Sequence, residues 1–167
     1  RANFANVYVN DSLWGLYVNV EAVNDKFTNK HFSTVNSPLF KCNPSGLNLQ
    51  PSGENSNLSN THGNDSSFYY DYYDLKSANG WNELYTLIDN LNISSNNLDN
   101  VLNIDRALWM HAFNYTLINF DSYVGYSQNY YLYKSLSNQF QPILWDLNMS
   151  FGSFRLTDAT QAYFNGF

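Results

Sequence analysis

The chain of 167 residues is 44% hydrophobic and 18% aromatic, a one-domain length with enough apolar content for a sizeable core. Only 13% of residues are charged and the net charge is −6, which argues against a nucleic-acid binder, because such a domain carries a basic face. The acidic balance does not exclude an anionic ligand, since a bound Mg²⁺ inverts the local charge.

The single cysteine, Cys42, rules out an internal disulfide and reads as a small residue near a strand end rather than a nucleophile. No apolar run approaches the roughly 20 residues that span a bilayer. Arg1 is not a natural start, so the chain reads as a piece of a longer protein, and the lack of a visible signal peptide carries no weight. Abundant Asn, Ser and Tyr with scarce Lys is a composition common in extracellular proteins.

In chain order, Val7-Tyr8-Val9 and the run from Trp14 to Glu21 read as two strands, with Asn10-Asp11-Ser12 as hairpin-turn chemistry. Alternation puts Trp14, Leu16, Val18 and Val20 on one face. Gly15 within the second run marks a bulge or close packing rather than a phosphate loop. Asn24-Asp25 is a cap for a short helix through Phe32. Leu39-Phe40-Lys41 is a short strand, and residues 42–67 form a long, polar, mobile loop broken by Pro44, Gly46, Pro51, Gly53 and Gly63.

The Tyr-rich segment 68–76 is a strand candidate whose aromatic residues pair across strands. Trp81, Leu84, Leu87 and Ile88 follow helical spacing over 81–90. A second helix starts with Asp105 as N-cap and runs to about 119. Apolar residues, among them Leu108, Ala112 and Tyr115, nearly surround it, so it is expected to be the most buried helix. Strands over 129–134 and 140–145 form a second hairpin. Strands first, helices next and a hairpin last make an α+β domain rather than alternating βαβ units. Trp14, Trp81, Trp109 and Trp145 are expected in the core, as is His111. His31, His62 and His111 lack metal-ligand spacing, so zinc is not expected.

The chemistry lies in the last third. Asp121 sits just past the second helix, Asn129 opens the hairpin and Asp146 closes it. Antiparallel pairing brings a hairpin's outer ends together, so Asn129 and Asp146 should be neighbours. Protein kinases place a catalytic Asp, a metal-binding Asn and a metal-binding Asp in this order around a short hairpin. Their Asn follows the Asp by five residues; here the separation is eight, and Asp and Asn at strand ends are also ordinary turn formers.

A set of motifs, in order over nearly the whole chain, resembles the CotH spore-coat kinase family. Leu13-Trp14-Gly15-Leu16-Tyr17-Val18-Asn19-Val20-Glu21 is similar to its "WGxYxxxE" strand, with Asp25, Phe27 and Phe32 following. Leu39-Phe40-Lys41 and Tyr73-Asp74-Leu75-Lys76 resemble "NLYK" and "Y.LK". Phe120-Asp121-Ser122-Tyr123, Asn129-Tyr130-Tyr131-Leu132-Tyr133 and the segment from Pro142 to Gly152 resemble "N.D", "NYYLY" and "IPWDLDxSFG".

The resemblance implies an atypical protein-kinase-like domain that uses ATP with Mg²⁺ or Mn²⁺ and phosphorylates Ser or Thr of a surface or coat protein. It implies Asp121 as catalytic residue, Asp146 and Asn129 as metal ligands, and Glu21 as partner of a phosphate-contacting lysine, either Lys41 or Lys76. It also implies a secreted, cell-surface or spore-coat location. Asn148 stands where the family carries a second acid, and would hold a metal more weakly. The family's basic "RGNSS…KKPYRIK" segment is missing ahead of the first strands, so the domain reads as truncated at its N-terminal lobe. A different class of reading is a catalytically inactive adhesion or interaction module on the same fold.

Overall fold

The computed structural model describes residues 2–49 and 54–154. Two compact units divide the chain, Arg1–Val35 and Asn36–Phe167.

In the first unit, β1 (Ala2–Val9) and β2 (Ser12–Val20) pair antiparallel. Asn10 and Asp11 form the two-residue turn with φ of 48° and 60°, the left-handed pair that matches hairpin twist and that Asn and Asp tolerate. The register shifts at Val7/Tyr8, opposite Leu13 and Gly15, so Gly15 flanks a bulge as its position suggests. The expected one-sided burial does not occur. Phe4, Trp14, Leu16 and Val18 are all exposed, Trp14 at 68%. A two-stranded ribbon has two faces, and within this unit only one short helix follows it.

That helix, α1 (Asp25–Phe32), begins where expected: the Asn24 side chain accepts from the Lys26 and Phe27 amides, supplying two orphan donors of the first turn. Glu21, just past β2, accepts from Lys30 Nζ at 2.7 Å and bonds His31 Nε2 at 3.1 Å. Those bonds tie the hairpin to the helix.

The second unit holds a four-stranded antiparallel sheet in the order β4-β3-β5-β6, from β3 (Leu39–Cys42), β4 (Tyr73–Leu75), β5 (Tyr130–Lys134) and β6 (Phe140–Leu144). Phe40, Cys42, Tyr130 and Leu132 join Leu84, Leu87 and Ile88 of α2 (Trp81–Asn92) in one core. The α2 stripe has helical spacing, and each fully buried aliphatic side chain contributes about 1.5–3 kcal/mol. Burial pushes the Cys42 thiol far above its usual range, so it stays a protonated core residue.

Pro142 in β6 lacks a donor, which an edge strand tolerates. The chain covers part of this edge: Phe140 N donates to Val101 O at 2.7 Å and Asn103 N to Phe140 O at 2.9 Å.

Several expectations are corrected. α3 (Ile104–Thr116) is capped by Asn103, whose side chain accepts from the Arg106 amide, not by Asp105. It is not the most buried helix: Leu108 and Tyr115 are 63% and 61% exposed and Trp109 59%, while Met110 and Asn114 are buried. In the second unit it packs on β6 and on α4 (Tyr123–Tyr126), and an apolar circumference does not by itself recruit partners. α2 is the deeply buried helix. Trp14 and Trp109 therefore leave the expected core, whereas Trp81 packs edge-on against Phe40 at 5.2 Å.

The Tyr-rich segment yields a strand only at β4. Asp65 caps a 3₁₀ turn at Ser66–Phe68, and Tyr69 and Tyr73, four residues apart, are both buried. That is turn-like spacing, not strand alternation. The polar loop is also not loose over its described second half. Asn55, Ser56 and Leu58 are buried, and tyrosine hydroxyls hold its backbone. Tyr130 Oη donates to Ser56 O at 2.6 Å, Tyr73 Oη accepts from Leu58 N at 2.7 Å, and Tyr69 Oη donates to Gly63 O at 2.9 Å. Pro51 and Gly53 lie outside the described residues.

Candidate functional site

Asp121 is carried by a loop whose shape is fixed from both sides. Before it, Asn119 is fully buried; its amide nitrogens reach Asn114, main chain to main chain at 2.8 Å and side chain to side chain at 3.1 Å. After it, Ser122 Oγ donates to Asn119 O at 2.6 Å. Gly125 completes the turn. A Cβ there would sit 2.0 Å from the Phe120 carbonyl oxygen, so the short α4 closes against Phe120 only with glycine at this place.

Two consecutive residues ahead of β5 then grip Asp121. Gln128, buried, donates its side-chain amide to Asp121 Oδ1. Asn129 Nδ2 donates to the Asp121 main-chain oxygen at 3.0 Å, which leaves the Asn129 carbonyl oxygen as an acceptor or ligand atom. Asn129 and Asp146 both take left-handed backbone, with φ of 55° and 54°, at the two outer ends of the β5–β6 hairpin. Tyr130 pairs with Leu144, so Asn129 stands one residue before this last pair and Asp146 two residues after it.

Asp146 also bears on Asp121. Burial pushes the Asp121 carboxyl up, the Gln128 hydrogen bond opposes this, and the Asp146 charge raises it further. The segment after Asp146 returns to the loop before Asp121: Phe151 N donates to Leu117 O at 2.6 Å and Gly152 N to Ile118 O at 3.0 Å. Asn148 lies exposed on the 3₁₀ turn Leu147–Met149 that Asp146 begins.

The two lysines differ in placement. Lys41 pairs with Asp74 on β4 and with Tyr131 on β5, so these residues share one sheet face. The Tyr131 hydroxyl is raised by burial and by the charges of Asp74, Cys42 and Asp146. Lys76 lies past the edge strand β4 and is ion-paired with Asp74. Glu21 belongs to the other unit, where Lys30 and His31 hold its carboxyl down to about 2.

Asp146 and Asn129 carry carboxylate and carboxamide oxygens, hard donors of the kind that Mg²⁺ or Mn²⁺ takes. Among the described residues, no three His, Cys, Asp or Glu side chains cluster as a metal cage. A separate cavity of about 340 Å³, between α3 and β6, is lined by Arg106, Trp109, Met110, Phe113 and residues 142–144, and none of the candidate catalytic or metal-binding side chains enters it. His111 is half-buried and edge-on to the Tyr123 ring at 5.5 Å; burial lowers its pKa, which fits a packing role.

Gln128, Asn119 and Gly125 escape the sequence reading. Asn119 had a signal in its spacing to Asp121, as the first residue of an "N.D" pattern. Gln128 and Gly125 had none, because only the folded loop shows what they touch.

This mixed helix and sheet unit carries Asp121, Asn129 and Asp146 between the end of α3 and the turn after β6. A family model described as CotH kinase protein matches residues 1–165. The chain belongs to the CotH kinase family. No curated protein matches it. Among the described residues no helix is long and apolar enough to cross a membrane.

Proposed function

We propose that this chain is an atypical protein kinase domain that transfers the γ-phosphate of ATP to a Ser or Thr hydroxyl of a surface or coat protein. The observation that carries the reading is the convergence at Asp121: Gln128 and Asn129 grip it, and the charge of Asp146 reaches it from the far end of the same hairpin.

Asp121 takes the proton of the substrate hydroxyl as that oxygen bonds to the γ-phosphorus. The bond from phosphorus to the β,γ-bridging oxygen breaks, and ADP leaves with its electron pair. Burial and Asp146 raise the proton affinity of Asp121, which suits a base whose job is brief. Asp146 and the Asn129 carbonyl oxygen would hold Mg²⁺ or Mn²⁺, which when bound neutralises phosphate charge. Asn148 is a weaker outer member of that set.

Of the two lysines, Lys41 is the better phosphate contact, because it shares a sheet face with Tyr131 while Lys76 is taken up by Asp74. Glu21 is already bonded to Lys30 and His31, so its assignment as partner of Lys41 has the least support. An extracytoplasmic location follows from family likeness alone.

The test is transfer from γ-labelled ATP by the intact protein in Mg²⁺ and in Mn²⁺. Asp146→Asn should cut transfer about 10³-fold or more while circular dichroism and Tm stay near wild type. Asn148 in place of an acid and the exposed apolar hairpin favour a second reading, an inactive interaction module. Absence of transfer in either metal would select that one.

A further inference from the structure

Among the described residues, Gln128 is the one buried side chain whose hydrogen bond ends on the Asp121 carboxylate itself. It is 6% exposed, and its amide reaches Asp121 Oδ1. A buried carboxamide must satisfy both ends, and a carboxylate offers only acceptors, so the direction of this bond is fixed. Ser127 and Asn129, on either side of Gln128, both take left-handed backbone, with φ of 52° and 55°. Non-glycine residues keep such conformations only where the surroundings impose them.

The next residue, Asn129, bonds the Asp121 main chain at 3.0 Å. Side chain and main chain of Asp121 are therefore clamped by adjacent residues of one strand entry. From the other side, Gly125 lets α4 close to within van der Waals range of Phe120, which fixes the loop that carries Asp121.

We propose that Gln128 is a positioning residue for phosphoryl transfer, which anchors Asp121 Oδ1 so that Oδ2 alone faces the substrate hydroxyl. This rests on the kinase reading. In that step the hydroxyl proton moves to Oδ2, and Gln128 neither gives nor takes a proton. Without the anchor the carboxyl group swings about its last torsion, and neither oxygen keeps a fixed place against the hydroxyl. Misplacement of a reacting group by about 1 Å costs roughly 100-fold, so the loss belongs in kcat. ATP is held elsewhere, by the hairpin ends and the lysine, so its KM should hold.

The experiment uses the intact protein with γ-labelled ATP and four variants, Gln128→Met, Gln128→Glu, Asp121→Asn and Asp121→Ala. Gln128→Met keeps the length and removes the donor; Gln128→Glu keeps the shape and sets a charge against Asp121. The expected result is a roughly 30- to 100-fold fall in kcat for both, KM for ATP within about twofold, and Tm of Gln128→Met within a few degrees of wild type. A second readout needs no turnover: the Gln128 side-chain amide resonance, displaced by a carboxylate acceptor, should move on Asp121→Ala.

Wild-type kcat in both Gln128 variants, or a loss confined to KM, overturns the assignment while leaving the kinase reading in place. So does an amide resonance indifferent to Asp121→Ala, even if the Gln128 variants fail to fold. Wild-type turnover by Asp121→Asn, or no turnover by the unaltered protein in either metal, overturns the kinase reading and this inference with it.

Discussion

The β1–β2 and β5–β6 hairpins are both antiparallel pairs rich in aromatic and β-branched residues, and both turns use left-handed backbone, at Asn10, Asp11 and Asn138. In the first, Phe4, Trp14 and Val18 are more than half exposed. In the second, Tyr130, Tyr133 and Phe140 are almost wholly buried, because β5 pairs with β3 and the sheet lies on α2. Turn chemistry and strand propensity are local and suffice to write both ribbons. What separates them is tertiary: a ribbon becomes a rigid platform only when a third strand and a helix take one face. The candidate site stands on the platform. The exposed ribbon carries the strand similar to "WGxYxxxE" and, at Glu21, ends in an ion pair with its own helix.

The contrast breaks most sharply by mutation to alanine. Leu87→Ala, in the core under β5, should cost about 2–5 kcal/mol and lower Tm by about 5–15 °C. Leu16→Ala in β2 should stay within about 0.5 kcal/mol, a shift of about 1–2 °C. Equal losses in a thermal melt would mean that the first hairpin is as well packed as the second.

Next in size is Gly125→Ala. Its Cβ would meet the Phe120 carbonyl at 2.0 Å, so α4 and the Asp121 loop must move, at a cost of about 1–3 kcal/mol. Phosphate transfer should fall far more than Tm does. Wild-type turnover in this variant would show that the loop tolerates displacement and that Asp121 needs no fixed place.

On the exposed side, Glu21 supplies a pH signature. Lys30 and His31 lower its carboxyl from 4.5 to about 2. A lowered folded value means that its stabilisation is complete above the unfolded value and is lost as pH falls toward 2. Glu21→Gln should therefore melt slightly earlier than wild type at pH 6, and the difference should shrink steadily between about pH 4.5 and 2. A difference that does not change with pH contradicts the pairing.

Asp121 has the opposite sign, and the smallest effect. Its folded value is raised, so the ionised form costs stability: the favourable contribution is present at acid pH and lost as pH rises through the folded value. Asp121→Asn should raise Tm at pH 7 by about 1–2 °C, with the gain vanishing below about pH 4. In an Asp146→Asn background the gain should be smaller, since one source of repulsion is gone. Additive shifts in the double variant would separate the two carboxylates.

Much of this was legible beforehand, for physical reasons. Asn24 capping α1, the α2 stripe of Leu84, Leu87 and Ile88, and the β5–β6 pairing rest on spacing and turn chemistry that the sequence carries locally. The α3 surface was misread because periodicity reports which residues are apolar, not whether anything covers them. The Tyr-rich run misled because tyrosine serves strands and turns alike; the Asp65 cap and the i,i+4 burial of Tyr69 and Tyr73 decided for a turn. In the site, Asp121, Asn129 and Asp146 could be proposed from chain order. The clamp by Gln128 and the closure at Gly125 depend on contacts across a loop, and the different placements of Lys41 and Lys76 depend on the strand order β4-β3-β5-β6.

The most direct test of a cation site at the hairpin ends is Mn²⁺ binding, followed by its paramagnetic signal during titration of the intact protein with a non-hydrolysable ATP analogue. Removing the Asp146 charge while keeping its shape, in Asp146→Asn, should weaken Mn²⁺ binding about tenfold or more. Leu16→Ala in the exposed hairpin should leave it unchanged. Equal Mn²⁺ affinity in wild type and Asp146→Asn would contradict a metal–nucleotide site at the end of β6.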